Sequence, residues 1–245
     1  MKKLILGILF LPLLISCNDD NNTSEQNWID IATVENPTQS SSFYFRLDNG
    51  DRMLAAASDL SYYRPKDGQR IIANYAILSG TSGSNTYKYN VRLNDVYEVL
   101  TKNIFKIKPQ QQDSIGNDQI EIKSMWVGSD YLNVEFVYPG YNKTHFVSLV
   151  MDNAKTYSDN KVHLEFRHNA NGDTPSASQW GMASFNLQSL QSGAASDSVN
   201  LVIHTKEYGS TINKTYSLTY KFKASKPTSS VKKLGFPTIS STKIY

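Results

Sequence analysis

The stretch VHLEFRHNANGD, residues 162–173, holds the densest grouping of side chains that could do chemistry in this chain. Side chains alternate between faces along a strand, so Val162, Leu164 and Phe166 are expected to face a core while His163, Glu165 and Arg167 share the opposite face. The HNANGD that follows is a loop of turn formers. Glu165, Arg167, His168 and Asp173 could together grip a ligand carboxylate or sugar hydroxyls. In the alternative reading, Glu165 and Arg167 pair with neighbours on an exposed strand face and the loop residues make Asx turns. His163 and His168 lie five residues apart, on opposite faces of a strand, and make a poor metal clamp.

Aromatic residues offer a second kind of site. Tyr62 and Tyr63 lie in a loop ahead of RPKDG and are candidates for stacking against a ligand, whereas Trp126, in SMWVG among apolar neighbours, reads as core. Neither a GxxxxGK[ST] phosphate loop nor an HExxH, GxSxG or GxGxxG motif occurs in the sequence. Carboxylates such as Glu165 and Asp173 show no acid/base arrangement of the kind a catalyst needs. No catalytic residue, metal ligand set or cofactor is therefore expected.

The elements that must carry these residues are strands. WIDIATVE (28–35) is rich in strand formers, and SFYFRLDNGDRMLAAAS (42–58) reads as a hairpin across Asp48-Asn49-Gly50. A strand follows over Gln69–Leu78, and Tyr87, Tyr89 and Val91 then alternate with Lys88, Asn90 and Arg92. Five strand candidates between 28 and 108 fit a small closed barrel of the OB type, which leaves no exposed edge. The polar PQQQDSIGNDQ, 109–119, reads as a linker. From 120 to 222 some seven strands at short spacing fit a β-sandwich. The fold expected is all-β: a five-stranded OB-like barrel over 28–108, then the sandwich. Only SFNLQSLQ, 184–191, is ambiguous between helix and strand.

The single cysteine sets the expected location. Lys2 and Lys3, an apolar run from Leu4 to Ile15, then Ser16 form a signal-peptide pattern over 1–16. That run is too short to span a bilayer, which takes about 20 apolar residues. Leu14-Ile15-Ser16-Cys17 resembles the lipobox of bacterial lipoproteins, in which the thiol is acylated and the chain is cut before the cysteine. Cys17 is then a membrane tether, held by two or three acyl chains because one alone binds only marginally. With Cys17 lipidated, no thiol remains for disulfide, metal or nucleophile chemistry. The polar NDDNNTSEQN that follows reads as a flexible tether over 17–27, and its acidic residues resemble the surface-export signal of Bacteroides-type lipoproteins. An outer-membrane lipoprotein at the cell surface is expected, with a periplasm-facing one as the alternative.

Charge narrows the partners. Without residues 1–16 the chain holds 23 basic and 22 acidic side chains, and its formal net charge falls from +3 to +1. No dense basic run precedes residue 221, so nucleic-acid binding is not expected. The tail from 223, rich in Ser, Lys and Pro, reads as flexible. Asp113-Ser114-Ile115 and Asp197-Ser198-Val199 resemble the O-glycosylation triplets of Bacteroides-type exported proteins.

Several stretches then point to one family. SIGNDQIEIKSMWVGSDYLNVEF, VHLEFRHNANGD, YYRPKDGQR and IATVENP, together with the lipobox, are similar to the signature stretches of NigD-like lipoproteins of Bacteroides-type bacteria, over roughly residues 1–222. The resemblance implies an OB-type barrel followed by a β-sandwich. Through the bacteriocin gene group behind the family name, it also implies an accessory or immunity role. It brings no catalytic motif. The function expected is a non-enzymatic envelope lipoprotein that binds an envelope protein or a glycan. A glycan-binding module is the alternative reading, and an enzyme the third.

Overall fold

A computed structural model describes residues 26–35, 42–80, 86–192, 196–209 and 213–222. Cys17, the signal-peptide pattern, the tether up to residue 25 and the tail from 223 lie outside the described residues, as do residues 36–41 and 81–85. The chain is all-β, as its alternating pattern predicts, with a barrel followed by a sandwich.

The barrel comprises β1 (Asn27–Glu35), β2 (Phe43–Leu47), β3 (Arg52–Ser58), β4 (Arg70–Gly80) and β5 (Tyr89–Glu98), closed in the order β1-β2-β3-β5-β4. Alternation explains the core: Ala32 and Val34, Phe43, Phe45 and Leu47, Met53 and Ala55 all point inward, with Ile71, Ala73 and Tyr75 from β4. The β2–β3 turn falls on Asp48-Asn49-Gly50, where Gly50 adopts φ 86° and Asn49 Oδ1 accepts the Asp51 N–H at 2.8 Å. Register shifts in the β4–β5 pair at Asn74/Tyr75 and Ile77/Ser79 let these long strands bend around the barrel.

The sandwich begins earlier than the polar segment at 109–119. Strands β6 (Leu100–Asn103) and β7 (Phe105–Ile107), assigned to the barrel by their position in the sequence, pair in parallel with β12 (Ala177–Asn186) and β10 (Phe146–Asp152) respectively. Leaving the barrel, the chain thus gives one strand to each sheet. The pattern of a short strand shows that it is half-buried but not which sheet it joins. Residues 109–115 form a 3-10 turn and a one-turn helix, Gln112–Ile115, laid against β11 (Val162–Asn169) through Asn169 Nδ2 and the Ser114 carbonyl at 3.1 Å.

The remaining strands are β8 (Glu121–Gly128), β9 (Tyr131–Gly140), β13 (Ser198–Thr205) and β14 (Lys214–Lys221). The two sheets run β14-β13-β11-β10-β7 and β6-β12-β9-β8. Their inner faces meet in a core containing Leu132, Val134, Phe136, Leu149, Leu164, Phe166, Phe185, Leu201, Ile203 and Tyr220. Each such large side chain contributes about 1.5–3 kcal/mol of burial free energy. The ambiguous 184–191 finishes β12 and then makes a 3-10 turn, Gln188–Leu190.

Candidate functional site

Two polar constructions organise the molecule: one joins the domains, and the other runs through β11. At the joint, Ile29, Ile31 and Ile72 of the barrel, with Tyr97 and Val99, pack against Trp126, Trp180 and Met182 of the four-stranded sheet. Trp126 is therefore a half-buried interface residue rather than part of the sandwich core, because it points away from the five-stranded sheet. Beside this apolar contact, wholly buried Arg70 holds Asp48 by two bonds of 2.6 and 2.9 Å and reaches Asn133 of β9 at 2.9 Å. Asn133 donates back to Asp48 at 2.8 Å and accepts from Ser184 at 2.7 Å, while the Arg70 guanidinium lies 4.5 Å from the Tyr131 ring centre. The Asp48 carboxylate presses so closely on the backbone of Gly128 that a Cβ there would stand 2.2 Å from an oxygen, so this position accepts only glycine.

Along β11 the alternation expected from the sequence holds, and it separates the proposed cluster into two sets. Glu165 and Arg167 face outward with His163, but they are not exposed: 7 % and 5 % of their surfaces reach solvent. Glu165 accepts from Arg167 at 2.6 and 2.8 Å and from Lys155 at 2.5 Å. Burial alone would raise its pKa; the two cations outweigh that and hold it below the usual range. The loop from 153 to 161, which supplies Lys155, reaches over this face and removes it from water.

His168 and Asp173 lie on the other side. His168 Nδ1 is 3.1 Å from the Gln119 carbonyl, which can only accept, so that nitrogen carries the hydrogen. Its Nε2 must then accept from His145 Nδ1, 2.8 Å away. His145 Nε2 stands 3.1 Å from Asp173 Oδ2, and Asp173 also accepts the backbone N–H groups of Tyr141, Asn142 and Thr174. Those bonds, the Tyr141 N–H first, hold Asp173 far below the usual carboxylate range. With Nδ1 committed to His168, His145 Nε2 is left facing the Asp173 carboxylate. Desolvation, opposed by the Gln119 carbonyl and reinforced by His145, brings His168 down to about 4. Tyr138, itself pushed up to about 12 by burial, packs its ring 4.4 Å from that of His145.

A second string of the same composition sits on the outer face. His163 Nε2 meets Asp159 Oδ1 at 2.9 Å, His163 Nδ1 meets His204 Nε2 at 2.9 Å, and Tyr157 lies flat on His163 with ring centres 3.5 Å apart. All four histidines of the chain are therefore paired. His145 and His204 were not legible as site residues: each meets its partner across strands, 23 and 41 residues away in sequence. Among the described residues no group of three or more His, Cys, Asp or Glu could hold a metal ion.

The tyrosine pair also divides. Tyr62 is 69 % exposed and its hydroxyl reaches Asp95 at 3.4 Å. Tyr63 turns into the barrel core against Phe43, with its hydroxyl on Gln69 at 3.0 Å, so it cannot stack on a ligand. The turn closed by the Tyr63 N–H on the Leu60 carbonyl at 3.3 Å sends Tyr63 into the barrel mouth and leaves Tyr62 outside.

A barrel and a sandwich locked through a buried ion pair, with histidines tied to the frame, define a two-domain β-protein of the OB-plus-sandwich class. Residues 31–99 match the NigD-like N-terminal OB domain and residues 103–220 the NigD-like C-terminal β-sandwich domain, and the chain belongs to the NigD-like family. Among solved structures, a protein of unknown function from Bacteroides vulgatus is 31 % identical, with a TM-score of 0.70 over 81 % of this chain and 92 % of that one. A candidate toxin-related protein from Parabacteroides distasonis is 33 % identical, with a TM-score of 0.68 over 81 % and 95 %. A NigD-like immunity protein from Bacteroides caccae shares the fold at 19 % identity and a TM-score of 0.61, over 78 % and 91 %. No curated protein matches the chain.

Proposed function

We propose that this protein is a non-enzymatic, lipid-anchored envelope protein that binds a partner as an accessory or immunity component. The observation that carries the binding reading is the use of its acid–base groups. Every imidazole is hydrogen-bonded into a string that ends on a carboxylate or carbonyl of the frame, and among the described residues no hydroxyl bonds to any of the four. Such strings brace loops and strands; they have no nucleophile to activate. The accessory or immunity part draws on family membership and on the toxin-related name carried by the 33 %-identical relative. The anchor rests on Cys17 in its lipobox-like setting, with the outer membrane and the cell surface as the proposed address.

Cross-linking the native, lipidated protein on intact cells, followed by capture and identification of what is attached, tests the binding reading. A reproducible protein partner supports it; capture of polysaccharide alone moves the assignment to the glycan-binding alternative, and turnover of any captured glycan reopens the enzymatic one. Cys17→Ala tests the anchor separately, since the variant is expected to leave the membrane fraction.

A further inference from the structure

Among the described residues, one of the barrel's two outer faces is covered by the sandwich. The β1–β4 side packs on the sandwich, while the β2–β3 side turns to solvent. There Arg46 stands opposite Arg52 in register and Tyr44 opposite Leu54. Two like charges directly opposite on one face repel. Glu35 of β1 relieves this by accepting Nε of both guanidiniums, at 2.5 Å from Arg46 and 2.7 Å from Arg52.

Because each arginine spends its Nε on Glu35, the forks formed by the terminal nitrogens point away from it. Arg52 gives one of these nitrogens to the Thr86 carbonyl at 3.2 Å. Both terminal nitrogens of Arg46 are without a partner among the described residues, and its side chain is 47 % exposed. Among the described residues, two cations against one carboxylate leave one positive charge uncompensated. Next to the forks, Tyr44 carries the Arg52 guanidinium 4.1 Å from its ring centre, and the Tyr87 ring lies 5.7 Å from that of Tyr44.

We propose that this Tyr44–Arg46–Arg52 face, flanked by Tyr87, is a binding site for an acidic oligosaccharide bearing uronate rings. A pyranose lays its C–H face on a tyrosine ring while a carboxylate on the same ring meets the adjacent guanidinium fork, a bidentate pairing suited to arginine. Alternative ligand classes fit less well. Nucleic acid needs several phosphate contacts along a path, whereas the triad supplies one net charge and neighbouring Lys88 is matched by Asp51 at 2.7 Å. An extended peptide binds such a sheet by adding a strand to an edge, and the closed barrel has none.

The site goes beyond the accessory reading and does not depend on it; failure here leaves the cross-linking result standing, and the reverse. The test is calorimetric titration of the chain from residue 17 onward with tri-galacturonic acid, with neutral galactotriose and a hexaglutamate peptide as controls. The acidic sugar is expected to bind with salt-sensitive affinity and the neutral one not to bind. Arg46→Gln is expected to weaken binding at least about tenfold, equivalent to about 1.4 kcal/mol, and Tyr44→Ala comparably, without a change in melting for Arg46→Gln. No binding of the acidic sugar, equal binding of the neutral one, tighter binding of hexaglutamate, or affinity untouched by Arg46→Gln would each overturn the proposal.

Discussion

The sandwich contains the same string twice, carboxylate to imidazole to imidazole, on opposite faces of β11. In Asp173–His145–His168 both Asp173 and His145 are sealed, with 1 % of either side chain reaching water; in Asp159–His163–His204 the carboxylate is 39 % exposed. Composition and bond lengths hardly differ. What differs is the surroundings. The inner string joins the start of β10, the end of β11, the loop carrying Asp173 and the segment at Gln119, so four parts of the chain depend on it. The outer string ties one loop to two neighbouring strands, with His163 stacked under Tyr157 and the Asp159 end open to water. Identical chemistry becomes a structural brace where water is excluded and a minor surface contact where it is not.

A pair whose cation is fully buried sets the upper end of the scale. Arg70→Leu leaves Asp48 without its cation at the domain joint and is expected to cost about 3–5 kcal/mol, read as a large fall in the urea midpoint. If the loss is small, the joint is held by its apolar cluster and not by the ion pair.

His145→Ala removes the middle of the inner string, leaving the Asp173 carboxylate and His168 Nε2 unmatched. The expected loss is about 2–3 kcal/mol, a melting temperature lower by roughly 4–12 °C for a chain of this size.

Acid separates the strings without mutation. Unfolded His168 takes a proton near its ordinary value of 6.5 and folded His168 only near 4. Between these values the unfolded chain binds more protons, so stability contributed by His168 is present above pH 6.5 and is lost as pH falls toward 4. Across that window the loss is about 3 kcal/mol. Asp173, whose carboxyl is held low in the fold, adds a further loss in more acid solution. Urea unfolding from pH 7 to 4 measures the first step, and His168→Asn should flatten it.

His163→Gln, cutting the outer string, is expected to change stability by less than about 1 kcal/mol. His204 is lowered by burial and then by His163, in the same direction as His168 but without its enclosure. A loss for His163→Gln as large as that for His145→Ala would end the comparison, because exposure would then not be what distinguishes the two.

Much of this architecture is legible from residue types. Alternation in FYFRL and VHLEFRH assigns inward and outward faces correctly, and DNG places the hairpin. The candidate site is less legible. Glu165 and Arg167 read as an exposed pair because nothing local announces that Lys155 and its loop will cover them. His168 and Asp173 read as neighbours of Glu165, although period-two geometry sends His168 through the sheet to a partner 23 residues away in sequence. Tyr63 follows Tyr62 and yet lies in the barrel core.

Taken alone, the sequence determined the β-rich class, the five-strand barrel, the sandwich after it and the family, since each depends on periodicity, turn residues or extended runs of similarity. Tertiary structure decided that β6 and β7 join different sheets, that Arg70 finds Asn133 across the domain joint, and that four scattered histidines form two strings. Local pattern specifies how a segment is extended and which side it buries. The identity of the partner depends on register and on the packing of distant strands, where desolvation makes one hydrogen-bonded string a brace and leaves its twin a surface contact.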